Sequence, residues 1–156
     1  MNLCELKEYL AHFMELSEEM QIELDRLESI NDRLYHLSAS LPNGMPKAPS
    51  PNPDRTGYLI ELKEAAANRI AQIGKKQVEQ ARQIETWVEQ LRNPKAKAVM
   101  RFRYLDGLPW SDVCFSLYGS QEDFTDKEES YMRSAYKLHK KALELIARQN
   151  EMPVEV

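Results

Sequence analysis

The chain is expected to be all-α, with a long antiparallel, coiled-coil-like helical hairpin carrying a C-terminal helix-turn-helix unit of three helices. Three observations predict this. Charged residues make up 29% of the 156 residues, hydrophobic residues 42%, and only five are glycine, a balance that favours helix over sheet. Two long stretches repeat their apolar residues in steps of three and four, the spacing of one helical face. The last third is instead punctuated by caps and glycines at short intervals, as a small multi-helix unit requires.

The first stretch, residues 1–41, reads as an acidic coiled-coil helix. Leu6, Leu10, Phe13, Ser17, Met20, Leu24, Leu27, Asn31, Leu34, Ser38 and Leu41 form its seam, widened by Leu3, Leu16, Ile30 and Leu37. A seam of this length demands a partner helix, and Asn31 on it is a candidate for fixing register. Residues 42–56 hold Pro42, Pro46, Pro49, Pro51 and Pro53 and are expected to be an extended linker. Residues 57–92 supply the second helix, with Leu59, Leu62, Ala66, Ile70, Ile73, Gln77, Gln80, Ile84, Trp87 and Leu91 facing the first. Trp87 is expected to be a packing anchor. Residues 1–41 hold nine acids against three bases, whereas residues 55–103 hold eleven bases against five acids. The first helix can therefore act as structural glue for its basic partner, or as an acidic arm that shields a basic surface.

Residues 93–149 carry the three-helix unit, and 150–156 form a tail. Asn93-Pro94 is a cap followed by a first-turn proline, and Ala98, Val99, Phe102 and Leu105 are expected on the inner side of the helix it opens. Gly107 is expected to end that helix in the left-handed conformation. Pro109-Trp110 opens the second helix, Val113, Cys114 and Leu117 point inward, and Gly119 stops it. Thr125-Asp126-Lys127-Glu128 has the form of a capping box, which places the third helix from Asp126 to about Arg148. Tyr131, Ala135, Leu138, Ala142 and Leu145 form its expected buried stripe. Opposite them stand Lys127, Ser130, Arg133, Ser134, Lys137 and Lys141, donors suited to phosphates and base edges. Lys97, Arg101 and Arg103 are candidate contacts to the DNA backbone.

No GxSxG, HExxH or glycine-rich phosphate loop occurs, so no enzyme activity, cofactor or metal is expected. His12, His36 and His139 lack the spacing of zinc ligands, and Cys4 and Cys114 read as small packing residues in a reduced compartment. No apolar run approaches the roughly 20 residues of a membrane span, and the acidic N-terminus lacks the marks of a signal peptide. A cytoplasmic location in a bacterial host is expected.

RFRYLDGLPWSDVC followed by SAYKLHKKALELI resembles the −35-reading domain of sigma factors and, more closely, phage and prophage late-gene transcription regulators of the ArpU and RinA kind. The matching positions are Arg103, Tyr104, Asp106, Gly107, Trp110, Tyr136, His139, Ala142 and Leu143. The resemblance spans roughly residues 50–148 and implies sequence-specific binding of double-stranded DNA. Pro109 stands where a hydroxyl cap is usual, and residues 120–126 are longer and more acidic than the family's turn. The other readings are a helical protein-interaction module facing RNA polymerase or another protein without DNA, and a small terminase-like packaging protein. A homodimer or higher oligomer is expected in each case, since a two-helix pair leaves apolar surface half covered.

Overall fold

The computed structural model describes residues 1–39 and 53–151, and among them it contains five α-helices, one π turn and no strand. The long helices are α1 (Leu3–Ala39) and α2 (Pro53–Glu89). Three shorter ones follow: α3 (Pro94–Met100), continued by a π turn over Arg101–Leu105, then α4 (Trp110–Tyr118) and α5 (Glu128–Gln149). The chain divides into two compact units, Met1–Glu15 with Val78–Val156, and Leu16–Gln77. The division falls within both long helices.

The helix α2 begins at Pro53, four residues before the expected start at Gly57. Proline is favourable at a first helical position, and Asp54 beside it suits the positive end of the helix dipole. Of the expected linker, residues 42–52 lie outside the described residues, as do Leu41 and the tail from Met152. The other end of α2 stops at Glu89, three residues short of Arg92. Asn93 is extended there (ψ 119°) because Pro94 follows it. Its side chain accepts a hydrogen bond from the Lys95 backbone N–H at 2.9 Å, capping α3.

In the unit Leu16–Gln77, Ser17 meets Gln77, the Met20 methyl lies against Gly74, and Glu23 pairs with Arg69 at 3.2 Å. Numbering rises on α1 as it falls on α2, so these segments run antiparallel. Leu59, Ala66 and Ile73 are buried at the expected seam positions of α2. The seam of α1 differs by one residue. Leu16 and Ile30 are buried, Ser17 and Asn31 are exposed, and Leu24 is 42% exposed. The two alternatives compete directly: turning Leu16 and Ile30 inward removes more apolar area from water than turning Ser17 and Asn31 inward. The shift puts Glu23 on the seam, where its side chain retains only 13% exposure against Arg69. Asn31 thus lies off the α1–α2 seam.

In the other unit the first turns of α1, the end of α2, α3 and α5 share one core, while α4 packs against α5 in a second cluster. Leu6, Leu10 and Phe13 pack with Ile84, Trp87, Val88, Leu91, Ala96, Met100, Leu143 and Ile146. Trp87 is 4% exposed and meets the Tyr9 ring edge-on at 4.9 Å. Cys4 is exposed and therefore not a packing residue, whereas Cys114 is buried.

The π turn explains a second difference. Asp106 N–H bonds the Arg101 carbonyl at 2.9 Å, a five-residue step that rotates the following side chains relative to a plain helix. Ahead of it Val99 is buried as expected, with Ala96 and Met100, and Ala98 is half-buried; Phe102 and Leu105, within the turn, remain half-buried. Gly107 then turns the chain at φ 68°, with no atom within 4 Å of where a β-carbon would stand. Its requirement is conformational alone, so Gly107→Ala should cost about 1 kcal/mol in urea unfolding, and Gly107→Asn less. A loss well above that would mean a contact beyond the backbone turn. As expected, α4 ends at Tyr118 with Gly119 as its C-cap, and it does so at φ −60° rather than in the left-handed region. A β-carbon there would lie 2.8 Å from the Phe115 ring, and glycine is needed for that approach.

Candidate nucleic-acid interface

The short helices hold α5 from two sides. Small residues make the approach possible: Cys114 and Tyr118 of α4 pack against Ala135, while Ala142 and Leu143 join the larger core with Ile146 and Ala147. The buried stripe is thus Ala135, Ala142, Leu143, Ile146 and Ala147, with Tyr131 and Leu138 half-buried. Leu145, expected inside, is 43% exposed. Its position lies away from the Ala142–Ile146 line once Leu143 and Ala147 turn inward.

The connection from α4 to α5 is organised by Asp123 rather than by a capping box. The Tyr131 hydroxyl donates to the Asp123 carboxylate, the Lys127 ammonium lies 3.4 Å from it, and the Lys127 backbone N–H bonds the Asp123 carbonyl. The Tyr131 hydrogen bond, followed by Lys127, holds the Asp123 carboxyl below its usual range. Lys127 stands at the N-cap with no side-chain capping bond, and α5 starts at Glu128, two residues after the expected Asp126. Phe124 stacks on Tyr131 at 6.0 Å and meets Phe115 at 5.8 Å, so this longer turn has its own aromatic packing.

The nine candidate residues separate into two groups. Arg133, Lys137 and Lys141 lie exposed along α5 with Ser130, and none of the three cations has a carboxylate within 4 Å among the described residues. Ser134 is half-buried and its hydroxyl donates to the Ser130 carbonyl, so it is partly committed to its own helix. Lys127 is exposed but held by Asp123. Lys140 belongs with the exposed cations and was missed in the sequence. Its spacing from Lys137, and its place beside Lys141, was the available signal. Glu128 and Glu129 border Arg133 around a shallow cleft, placing negative charge at the start of the helix.

The second group is engaged inside the protein. Arg101 reaches Glu85 at 2.6 Å and Glu89 at 2.5 Å, and those hydrogen bonds raise its pKa further. Lys97 lies 3.8 Å from Glu89. Arg103 donates to the Leu108 carbonyl at 3.1 Å and lies over the Trp110 ring at 5.1 Å. These three residues fasten the α3 segment to α2 and to the glycine turn. No protein-family model, curated protein or solved structure matches the chain.

Proposed function

We propose that the chain is a non-enzymatic, sequence-specific DNA-binding protein, a transcription regulator of the phage type. In this reading α4, the following turn and α5 act as a helix-turn-helix, and the first half of α5 enters the major groove. One observation carries it: Arg133, Lys137, Lys140 and Lys141 share an exposed stretch of α5 with no carboxylate within 4 Å among the described residues, while Ala135, Ala142, Leu143, Ile146 and Ala147 on the same helix are buried. Unpaired cations on a rigid helix can replace the counterions of phosphates and reach base edges without first breaking internal bonds. Ser130 and Arg133 read bases, and Lys137, Lys140 and Lys141 meet phosphates. Arg101 is assigned to internal bridging and Lys97 to a marginal backbone contact.

The test is a salt-titrated binding assay on fragments of the chain's own genomic neighbourhood. Arg133→Ala should cost about 1–3 kcal/mol and relax specificity, and Lys137→Ala should weaken all sequences alike and lower the salt slope by about one. Arg101→Ala should leave DNA affinity nearly unchanged. Absence of binding at low ionic strength, or full binding by an Arg133→Ala/Lys137→Ala double variant, would overturn the assignment. Retention of a polymerase subunit by a chain that ignores DNA would place it in the protein-interaction class instead.

A further inference from the structure

A second feature of the same compact unit lies beside Trp110. There a cleft of about 290 Å³ is walled by the rings of Tyr104, Trp110 and His139 and by the apolar side chains of Met14 and Leu143. Lys7 of α1 and Arg103 of the π turn stand at it, and no acidic residue lines it. Among the described residues neither cation has a carboxylate within 4 Å. The aromatic walls are fixed by one another. The Tyr104 hydroxyl and His139 Nε2 are 2.7 Å apart, their rings stack at 5.7 Å, and Trp110 meets His139 edge-on at 4.8 Å. Burial, then Arg103 and Lys7, hold His139 down to about 4, so the ring is neutral near pH 7 and gives no third charge.

Lys7 and Arg103, the latter lying over the Trp110 ring and neither with a carboxylate within 4 Å among the described residues, stand at an apolar, aromatic cleft and call for a ligand that carries both properties. An inorganic anion would satisfy the charges and leave the walls unfilled. A neutral ring would fill the walls and leave the charges unmet. Arg103 commits one guanidinium nitrogen to the Leu108 carbonyl and keeps other N–H donors for a carboxylate. The volume matches one or two fused rings, at the small end of the roughly 300–1,000 Å³ typical of ligand pockets. We infer that this cleft is a binding site for a small planar organic anion, an aromatic carboxylate, held by Lys7 and Arg103 and packed against Trp110. The site does not depend on whether α5 binds DNA.

The chain has only two tryptophans, Trp87 and Trp110, so their indole N–H signals in a nitrogen-15 correlation spectrum test the cleft directly. Titration of the full chain with 2-naphthoate should move the Trp110 signal saturably and leave Trp87, buried in the core, in place. Lys7→Gln and Arg103→Gln should each weaken the apparent affinity by about ten-fold, the scale of a lost charge-assisted contact. If Arg103→Gln collapses the spectrum, Lys7→Gln decides, because Lys7 is exposed and its loss leaves the fold intact. The inference is overturned if 2-naphthoate leaves Trp110 unmoved up to its solubility or moves Trp87 equally. It is also overturned if 2-naphthamide binds as well as the acid, if inorganic phosphate reproduces the shift, or if Lys7→Gln binds as tightly as the parent.

Discussion

Replacing Trp87 by alanine should destabilise the protein by about 3–5 kcal/mol, the range for emptying a buried aromatic site. The side chain is 4% exposed and sits where four segments meet: Leu6 and Leu10 from α1, Ile84 and Val88 from α2, Met100 from α3, and Ile146 from α5. These surroundings cannot collapse into the void easily, since each wall belongs to a different helix. Losing the edge-on Tyr9 contact adds about 0.5–1.5 kcal/mol to what area alone would give. Against a total stability of about 5–15 kcal/mol, such a loss should be plain in urea unfolding followed by circular dichroism. A change below about 1 kcal/mol would show that Trp87 is not the anchor its burial indicates.

The same core includes the first turns of α1. Leu6, Leu10 and Phe13 are buried among residues of α2, α3 and α5, so the start of α1 shares their core. That was only half legible. The periodicity identified the seam residues and the need for a partner, because burying an apolar stripe leaves a pattern in the sequence. It could not show that one seam serves two cores, since a leucine spacing does not say which surface covers it. The one-residue slip from Ser17 and Asn31 to Leu16 and Ile30 has a similar origin. Both lines fit steps of three and four, and only the energetics of the paired helices choose between them.

For the candidate interface, residue type was legible and availability was not. Lys97, Arg101 and Arg103 have the same composition signal as Arg133, Lys137 and Lys141. What separates them is whether a carboxylate or a ring stands beside them in space: Glu85 and Glu89 for Arg101, Glu89 for Lys97, Trp110 for Arg103. Those partners come from another helix or from across a turn. The π turn sharpens the point. Its five-residue hydrogen bond reorients residues 101–105, and a plain helical wheel misplaces them.

His139 supplies the last prediction, because its ring couples this geometry to pH. It faces Arg103 of the π turn and Lys7 of α1, and it packs against Tyr104 and Trp110, with no carboxylate lining the cleft. Burial is the largest cause of its depressed pKa, and the two cations deepen it, so the folded value is about 4 against 6.5 for the free side chain. The unfolded chain therefore binds the proton more readily than the folded one. The stability due to the neutral ring is fully present above pH 6.5 and is lost as pH falls towards 4. For a ring that is only partly buried, with solvent screening, the shift corresponds to about 2–3 kcal/mol. A neutral ring can accept the Tyr104 proton at Nε2, whereas a protonated ring must donate there and force the hydroxyl to turn. Urea unfolding at pH 7 and pH 4.5 should show a steep fall for the parent chain. His139→Gln keeps an acceptor for Tyr104 and carries no titrating group, so its fall over the same window should be smaller by about 2 kcal/mol. Equal slopes for the two chains, or a His139 titration midpoint near 6.5 by NMR, would overturn this account of the ring.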